Sequence, residues 1–259
     1  MNKKIKKLLK KKNKSKIVCL TAYSKKIASI LDKHCDLVLV GDSLGSVLYN
    51  YESTKEVTLE TMINHSKSVR LGVIKSIMIV DMPYNTYRNP KEALKNAKIV
   101  MKETKCDGIK LEGGKKIIPI VENLVKNKIP VMGHVGILPQ TDKKFTFKGK
   151  KQKESERILK DAKLLENAGV FSIVLECIET KLSKQITDKI NIPTIGIGSS
   201  ANCDGQVLVI DDLIGMSEIK FKFVKKYVDV SKIIDFAVKK YATEVHKKQF
   251  PKAKHSFKN

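Results

Sequence analysis

The chain has 259 residues, of which 42% are hydrophobic and 6% aromatic, and it contains no Trp. This length suits one domain, and Ile, Leu and Val are abundant enough for a sizeable core. No run of about 18 apolar residues occurs, which excludes a transmembrane helix, and no apolar segment follows the basic N-terminus as in a secretory signal. The five cysteines are odd in number, scattered and without a C-x-x-C pair, so we expect a cytoplasmic protein.

The net charge of +24 suggests a nucleic-acid-binding protein, but two features of the sequence weaken that interpretation. Only Arg70, Arg88 and Arg157 of the 51 basic residues are arginines, although planar recognition of phosphate favours Arg. The lysines are spread along every predicted helix rather than gathered in one stripe. We therefore predict a mainly solvated basic surface, with no nucleic-acid and no membrane partner. Attraction of an anionic substrate is the functional alternative.

The order of apolar runs and turn residues predicts alternating strands and helices. A short Lys-rich helix in residues 1–14 comes first and packs on the body. The predicted strands cover residues 16–23, 36–42, 76–81, 108–112, 130–135, 171–176, 193–198 and 206–210. The predicted helices include residues 25–33, a helix with Thr58 as its N-cap and Gly72 as its C-cap, one capped by Asn89 with Pro90 as its first residue, residues 115–127, and residues 154–168 ending at Gly169.

A C-terminal helical region follows the eighth strand, and its apolar residues have the spacing of a core-facing helix: Ile234, Val238, Tyr241 and Val245. The alternation of strands and helices predicts parallel pairing. Eight strands favour a closed (β/α)8 TIM barrel over an open doubly wound sheet. Since no linker or internal repeat is present, we predict a single barrel domain over residues 1–259.

Six predicted strands end in polar residues fit for chemistry, and four of the six end in a carboxylate. In a parallel barrel all C-terminal strand ends open onto one face, and active sites lie on that face. Side chains that are far apart in the sequence are therefore expected to converge there: Asp42, Asp81, Lys110, Glu112, His134 and Glu176.

Asp42 and Asp81 each end a fully apolar run, so we do not expect either to be an ordinary surface carboxylate. Mg²⁺ takes oxygen ligands, usually one or two carboxylates together with waters and substrate oxygens. The alternative is that each aspartate only caps a following helix. Together with Glu112, the pair favours a metal site.

Lys110 and Glu112 lie two residues apart on one predicted strand and so face the same way. Burying either charge alone is costly, so these side chains must pair or contact a ligand. A structural ion pair is the alternative to a functional role. The following Gly113-Gly114 permits close approach of a ligand to the backbone.

Glu176 ends an apolar strand, and such surroundings suit a general base. His134 is predicted to donate a hydrogen bond to an anionic substrate. For both residues the alternative is a buried side chain satisfied within the protein. Ser43, between Gly41 and Gly45, offers a hydroxyl in a possible carboxylate or phosphate pocket.

Seven segments in order resemble the ketopantoate hydroxymethyltransferase (3-methyl-2-oxobutanoate hydroxymethyltransferase) family. The similarity runs from about residue 3 to the end, and the ordered set is far more specific than any one motif. The segments are Gly41-Asp-Ser-Leu-Gly45, Val80-Asp-Met-Pro83, Lys110-Leu-Glu-Gly-Gly114, Gly133-His-Val-Gly-Ile-Leu-Pro-Gln140, Val174-Leu-Glu176, Ile192-Pro-Thr-Ile-Gly-Ile-Gly198 and Cys203-Asp-Gly-Gln-Val-Leu-Val209.

The resemblance implies a barrel of the phosphoenolpyruvate/pyruvate type that forms a homo-oligomer, with a decamer expected. It implies transfer of a hydroxymethyl group from 5,10-methylenetetrahydrofolate to 3-methyl-2-oxobutanoate through a Mg²⁺-stabilised enolate, with one Mg²⁺ per subunit. The product is 2-dehydropantoate, on the way to pantothenate and coenzyme A. By the family pattern Glu176 accepts the proton, Asp42 and Asp81 bind the metal with Glu112 completing the site, and the keto acid contacts Asp42, Ser43, Asp81, Lys110 and His134.

Three positions depart from the usual family pattern: Ser24 stands for Asp, Ser199-Ser200 for Ala-Gly, and Lys148 for Gln. None of them removes a predicted metal ligand or the base. Another Mg²⁺-dependent enolate-forming lyase barrel is an alternative, although the Lys-Lys-Cys-Gly-His signature of isocitrate lyases is absent. A basic nucleic-acid-binding protein is the alternative from another class, and it predicts indifference to substitution of Glu176.

Overall fold

The computed structural model describes residues 2–142, 146–218 and 221–257. Its strands pair in parallel in sequence order and form a closed barrel, in which β8 pairs with β1. The predicted (β/α)8 barrel is therefore confirmed. The strands are β1 Ile17–Thr21, β2 Leu37–Val40, β3 Ile77–Asp81, β4 Gly108–Lys110, β5 Val131–Gly136, β6 Ser172–Glu176, β7 Thr194–Ile197 and β8 Gly205–Leu208.

The helices alternate with the strands as the sequence predicts, and two of them, α3 and α8, lie in segments where no helix is predicted. Short 3-10 helices occupy Thr54–Glu56, Lys115–Ile117 and Ala253–His255. The α-helices are α1 Lys3–Leu9, α2 Lys25–Leu31, α3 Leu44–Tyr49, α4 Leu59–Arg70, α5 Pro90–Thr104, α6 Ile118–Lys126, α7 Gln152–Asn167, α8 Thr180–Lys189, α9 Ile210–Ile214 and α10 Val230–His246.

Local side-chain chemistry sets several helix ends as predicted. Thr58 accepts a hydrogen bond from the Thr61 amide at the start of α4, and Asn89 does the same for α5, where Pro90 is the first helical residue. Gly72 is not the cap of α4, which ends at Arg70. A Cβ at Gly72 would lie only 2.4 Å from the Lys25 carbonyl oxygen, so this glycine serves close packing against α2.

Helix α1 covers the N-terminal end of the barrel. Its Ile5 and Leu8 are buried in one cluster with residues near the starts of strands, among them Ile17, Leu37 and Ile77. The predicted packing of the N-terminal helix on the body is therefore observed. Because this end is filled by apolar side chains, only the opposite end, where the strands terminate, is left for a polar site.

The chain divides into two compact units, residues 1–209 and residues 210–259. The second contains α9 and α10, and α10 has no buried residue. The predicted core role of its apolar stripe is therefore wrong for the chain alone, since Val238 and Tyr241 are 59% and 57% exposed. The single-domain assignment stays a prediction. Across the described residues, no helix is long and apolar enough to cross a membrane.

Truncation of Ile5 to Ala should destabilise the barrel, because its side chain is fully buried at the closed end. Loss of a buried Ile side chain costs about 2–5 kcal/mol, part of it for the cavity left behind. We expect that decrease in the free energy of unfolding measured by urea titration. The exposed neighbour Lys6→Ala is the matched control and should change stability by less than about 0.5 kcal/mol. Equal effects of both variants would contradict the assigned role of α1.

Candidate active site

The predicted site residues lie at or just beyond the C-terminal ends of neighbouring strands. Asp81, Lys110 and Glu176 are the last residues of β3, β4 and β6. Asp42 and Glu112 follow β2 and β4, and His134 lies within β5. Every one of these six side chains is buried. The strand geometry thus brings together residues that are up to 134 positions apart, from Asp42 to Glu176.

Asp42, Asp81 and Lys110 form a connected group across β2, β3 and β4. The Asp42 amide donates to Asp81 Oδ2 at 3.1 Å, and Lys110 Nζ lies 2.7 Å from Asp81 Oδ1. Burial lowers the pKa of Lys110, but the charges of Asp81, Glu112 and Asp42 outweigh it and raise that pKa overall. The ion pair expected for Lys110 is therefore made with Asp81 across the strands.

Burial raises the pKa of Asp42 to about 7, and the charge of Asp81 adds to the rise. The pKa of Glu112 is also raised, first by burial and then by the charge of Asp42. The carboxylates thus repel one another in a medium that solvates them poorly. One ammonium group cannot neutralise three carboxylates, so the cluster favours a further cation.

Gln140 connects two of these carboxylates and was given no role by sequence reasoning. Its side-chain amide donates to Asp42 Oδ2 at 2.8 Å and to the Met82 carbonyl at 3.0 Å, and its backbone amide donates to Glu112 Oε2 at 3.1 Å. The Tyr87 hydroxyl donates to its side-chain oxygen. The position of Gln140 in the segment after strand 5 is the one signal of this role in the sequence. Its partners Asp42 and Glu112 lie 98 and 28 positions away, so no local pattern connects them.

His134 lies between two carboxylates. Its Nε2 is 3.3 Å from Glu176 Oε2, and its Nδ1 is 3.8 Å from Glu112 Oε1. Within the described residues, neither ring nitrogen has a hydrogen-bond partner although both are buried. The alternative of a core histidine satisfied by the protein is therefore not observed. A buried ring with unused polar atoms in this position suits contact with a bound ligand.

Ser43 is held by an aromatic residue from the first strand–helix connection. Its hydroxyl lies 2.8 Å from the Tyr23 hydroxyl. Ser43 is the residue before α3, yet its side chain makes no capping hydrogen bond. The Asp42 carboxylate accepts from Gln140, so a capping role explains neither residue. Close packing reaches Gly41 as well, where a Cβ would lie 2.9 Å from Ser43 Oγ.

The donor set fits a hard divalent cation. Asp42 and Asp81 are neighbouring buried carboxylates, and among the described residues the one basic group paired with them is Lys110, at 2.7 Å from Asp81 Oδ1. In the described ranges, no three His, Cys, Asp or Glu side chains are arranged to hold one ion together. Mg²⁺ usually takes one or two protein carboxylates and completes its shell with water and substrate oxygens, so Asp42 and Asp81 would be sufficient protein ligands.

Two unusual backbone positions bring β5 and β6 together around Glu176. Gly136 has φ +105°, and a Cβ there would lie 2.1 Å from the Glu176 carbonyl oxygen. Cys177, directly after Glu176, adopts φ +48°, which is uncommon for a residue with a side chain. Such strain persists only where the surroundings impose it, and it collects at functional sites.

Of the departures from the family pattern, Ser199 braces this segment through its side chain, whereas Lys148 does so only through its backbone. The Ser199 hydroxyl donates to the Leu175 carbonyl at 2.9 Å and accepts from the Ile178 amide at 3.1 Å. The Lys148 amide donates to the Cys177 carbonyl at 2.8 Å. Both residues therefore hold the chain on either side of Glu176. Ser24 precedes α2 and makes no side-chain capping bond.

Comparison with known proteins decides the family. The sequence model described as ketopantoate hydroxymethyltransferase matches residues 2–253. The chain belongs to the ketopantoate hydroxymethyltransferase family. It is 64% identical over 257 residues to the 3-methyl-2-oxobutanoate hydroxymethyltransferase of Pelagibacter ubique (strain HTCC1062), covering 99% of this chain and 100% of that protein. The Rhizobium etli enzyme of the same name is 47% identical and is matched over 93% and 90% of the two chains. The family and the enzyme class predicted from the seven segments are thus confirmed.

Solved structures with a similar fold belong to enzymes of low sequence identity. Phosphonopyruvate hydrolase superposes with a TM-score of 0.65 at 8% identity, over 99% of this chain and 92% of that one. A 2,3-dimethylmalate lyase of the PEP mutase/isocitrate lyase superfamily gives 0.63 at 11% identity, over 97% and 87%. At this identity the similarity shows the fold alone, which is the predicted (β/α)8 barrel.

Replacing Gln140 by Ala should weaken divalent-metal binding about 10- to 100-fold, because Asp42 loses the donor that orients its carboxylate. Titration of the protein with Mn²⁺, followed by electron paramagnetic resonance, measures this without any turnover. Gln206→Ala is the matched control, since its side-chain amide also donates to a backbone carbonyl, that of Ser200. Unchanged Mn²⁺ affinity in the Gln140 variant would contradict its positioning role.

The raised pKa of Asp42 predicts how metal-free protein responds to pH. The folded state holds this proton up to about pH 7, whereas the unfolded chain releases it near 3.8. Stability should therefore fall as pH rises through this window, by up to about 1.4 kcal/mol per pH unit. Urea unfolding in a chelator measures the slope.

Asp42→Asn should reduce that slope, whereas Asp188→Asn should leave it unchanged, because Asp188 belongs to an exposed ion pair with Lys184. A slope that is the same in the Asp42 variant and the wild type would show that this carboxyl group does not titrate as stated.

Proposed function

We propose that the protein transfers a hydroxymethyl group from 5,10-methylenetetrahydrofolate to 3-methyl-2-oxobutanoate, forming 2-dehydropantoate for pantothenate and coenzyme A synthesis. The observation that carries the proposal is the meeting of the Asp42–Asp81–Lys110 cluster with the His134–Glu176 pair at one end of the barrel. The names of relatives that are 64% and 47% identical support the same reaction.

The keto acid would bind where the carboxylates outnumber the basic groups, beside Asp42, Asp81 and Glu112. Asp42 and Asp81 would hold Mg²⁺ directly, and Glu112 would complete the site through a water molecule. A bound Mg²⁺ would act as a Lewis acid on the oxygens of the keto acid and favour its enolate form. The Lys110 ammonium group beside Asp81 and the Ser43 hydroxyl beside Tyr23 offer donors to the substrate oxygens.

His134 supports this assignment through its unused ring nitrogens. It lies between Glu112 and Glu176, so a donor nitrogen can contact a substrate oxygen held near the carboxylates. Because the side chain is 2% exposed, water competes poorly with such a contact.

Glu176 is the proposed proton acceptor. Its carboxylate lies 3.3 Å from His134 Nε2 at the end of β6, next to the strained Cys177. It would remove the proton from C3 of the keto acid, and that carbon would then attack the methylene unit of the folate. The folate supplies the one-carbon chemistry, and the protein supplies position and exclusion of water. Both C–N bonds between the one-carbon unit and the folate would break, and one water molecule would supply the hydroxyl group. The proton from C3 and the remaining proton of that water would go to the two folate nitrogens, so that tetrahydrofolate leaves.

The proposal includes a cytoplasmic homo-oligomer, with a decamer expected from the family resemblance. The apolar exposure of α10 supports association of copies, because Ile233, Phe236 and Val238 are 58%, 69% and 59% exposed. All five cysteines are free thiols, which suits a reducing compartment. The absence of nucleic-acid and membrane partners stays a prediction.

Substitution of Glu176 by Gln tests the proposed base. We expect loss of the C3 proton signal of 3-methyl-2-oxobutanoate in D₂O, followed by proton NMR, to require Mg²⁺ and wild-type protein. Glu176→Gln should slow this exchange by about 100-fold or more, while the circular dichroism spectrum stays native.

Glu179→Gln is the matched control three residues away, since Glu179 caps α8. Exchange by the Glu176 variant at the wild-type rate would place the base elsewhere. If the wild type shows no exchange until methylenetetrahydrofolate is added, enolisation depends on the second substrate. No exchange under any of these conditions would contradict the proposed reaction.

A further inference from the structure

A cavity of about 940 Å³ lies beside the proposed catalytic cluster of Asp42, Asp81, Lys110, Glu112, His134 and Glu176. Glu112 and Gly113-Gly114 line one part of it, and residues of α7 line another. Of the proposed site residues only Glu112 contributes to its wall. The volume is at the upper end for small-molecule sites, and a small keto acid would fill only a minor part of it. The cavity therefore has room for a second and larger ligand that reaches the catalytic cluster through Glu112.

Most of the basic side chains that line this cavity have no ion-pair partner among the described residues. Its basic residues are Arg88, Lys115, Lys116, Lys153, Arg157 and Lys160. Arg88 pairs with Glu92, whereas the other five make no ion pair within the described parts of the chain. These five cations are available to a ligand.

Each acidic residue of the same cavity has a hydrogen-bond or ion-pair partner within the protein. Glu112 accepts from the Gln140 amide, and Asp142 pairs with Lys148. Asp161 accepts from the Lys115 backbone amide, and Glu156 accepts from the side-chain amide of Gln152. Six basic and four acidic side chains line the cavity, so the formal charge of its lining is still positive.

The lining of this cavity differs from the Lys-rich surface in general because it contains arginines. The chain has three arginines, and two of them, Arg88 and Arg157, line this cavity. The third, Arg70, contacts Asp107 and the Lys105 carbonyl. Arg157 has no ion-pair partner in the described ranges. A planar guanidinium group is suited to bidentate binding of a carboxylate.

Three of the cations of α7 lie on one face of the helix. Lys153, Arg157 and Lys160 are spaced i, i+4 and i+7, and all three line the cavity. Lys115 and Lys116 line it from the 3-10 helix Lys115–Ile117. The cavity also has apolar and aromatic lining from Tyr84, Tyr87, Ile117, Val135, Leu138 and Leu164. A flat, partly apolar molecule with an anionic tail matches both kinds of lining.

We infer that this cavity binds the folate substrate and that Lys153, Arg157 and Lys160 hold its glutamyl carboxylates. The inference rests on the proposed function, since a folate combines a flat ring system with a chain of γ-linked carboxylates. Its one-carbon end would face Glu112 and the catalytic cluster, and its tail would lie along α7. Added glutamyl residues supply further carboxylates to the row of cations.

The test compares tetrahydrofolate with one glutamyl residue and tetrahydrofolate with three, by isothermal titration calorimetry on the full chain with Mg²⁺. Each exposed ion pair contributes only a few-fold, so we expect about tenfold tighter binding of the triglutamate in low salt. The double variant Lys153→Gln/Arg157→Gln should abolish this preference. Its circular dichroism spectrum and thermal stability should match those of the wild type.

Two further variants serve as controls. Arg157→Lys should keep part of the preference, since it keeps the charge and loses the bidentate geometry. Lys98→Gln, an exposed position on α5 outside the cavity, should behave as wild type.

Equal affinity of wild type for both folates would overturn the inference while leaving the proposed function intact. So would an equal loss in the Lys98 variant, or displacement of the triglutamate by duplex DNA at equal charge, because either result would indicate a general polyanion surface. Failure of both folates to bind, with Mg²⁺-dependent exchange of the keto acid preserved, would overturn the folate donor and this site together. Absence of exchange as well would overturn the proposed function itself.

Discussion

The buried ion pair between Lys110 and Asp81 is the interaction on which the rest of the site depends. Its two charges lie 2.7 Å apart at the ends of β4 and β3, and both side chains are almost inaccessible to water. Removing one partner of such a pair leaves an uncompensated buried charge, which is strongly destabilising. With Asp42 and Glu112 added, the group is short of positive charge. This imbalance of charge destabilises the cluster by itself, and it is the basis on which we propose a divalent cation here.

Hydrogen bonds from neighbouring segments, rather than packing in the core, hold this group in place. Gln140 joins Asp42 to Glu112 through one side chain and one backbone amide. On the opposite side of the site, Ser199 and Lys148 tie down the chain before and after the left-handed Cys177. Catalytic geometry is maintained when each reacting side chain has such a support, since small displacements cost large factors in rate.

The two ends of the barrel have different roles. The N-terminal end is filled by α1 and the apolar starts of the strands, so it contributes stability. The C-terminal end combines buried charge, strained backbone and the basic cavity along α7, and the proposed binding and chemistry lie there. The charge of +24, which first suggests nucleic acid, can thus be divided into a general Lys-rich surface and a small set of unpaired cations at one cavity.

The sequence by itself determined the barrel, its eight strands and the convergence of Asp42, Asp81, Glu112 and Glu176, because strand periodicity and strand-end position are local properties of a parallel fold. The tertiary structure decided which groups contact each other. The partner of Lys110 is Asp81 rather than Glu112, and Gln140 acquires its role only through residues distant in sequence. It also left the apolar stripe of α10 exposed, since periodicity indicates an apolar face but not what covers it.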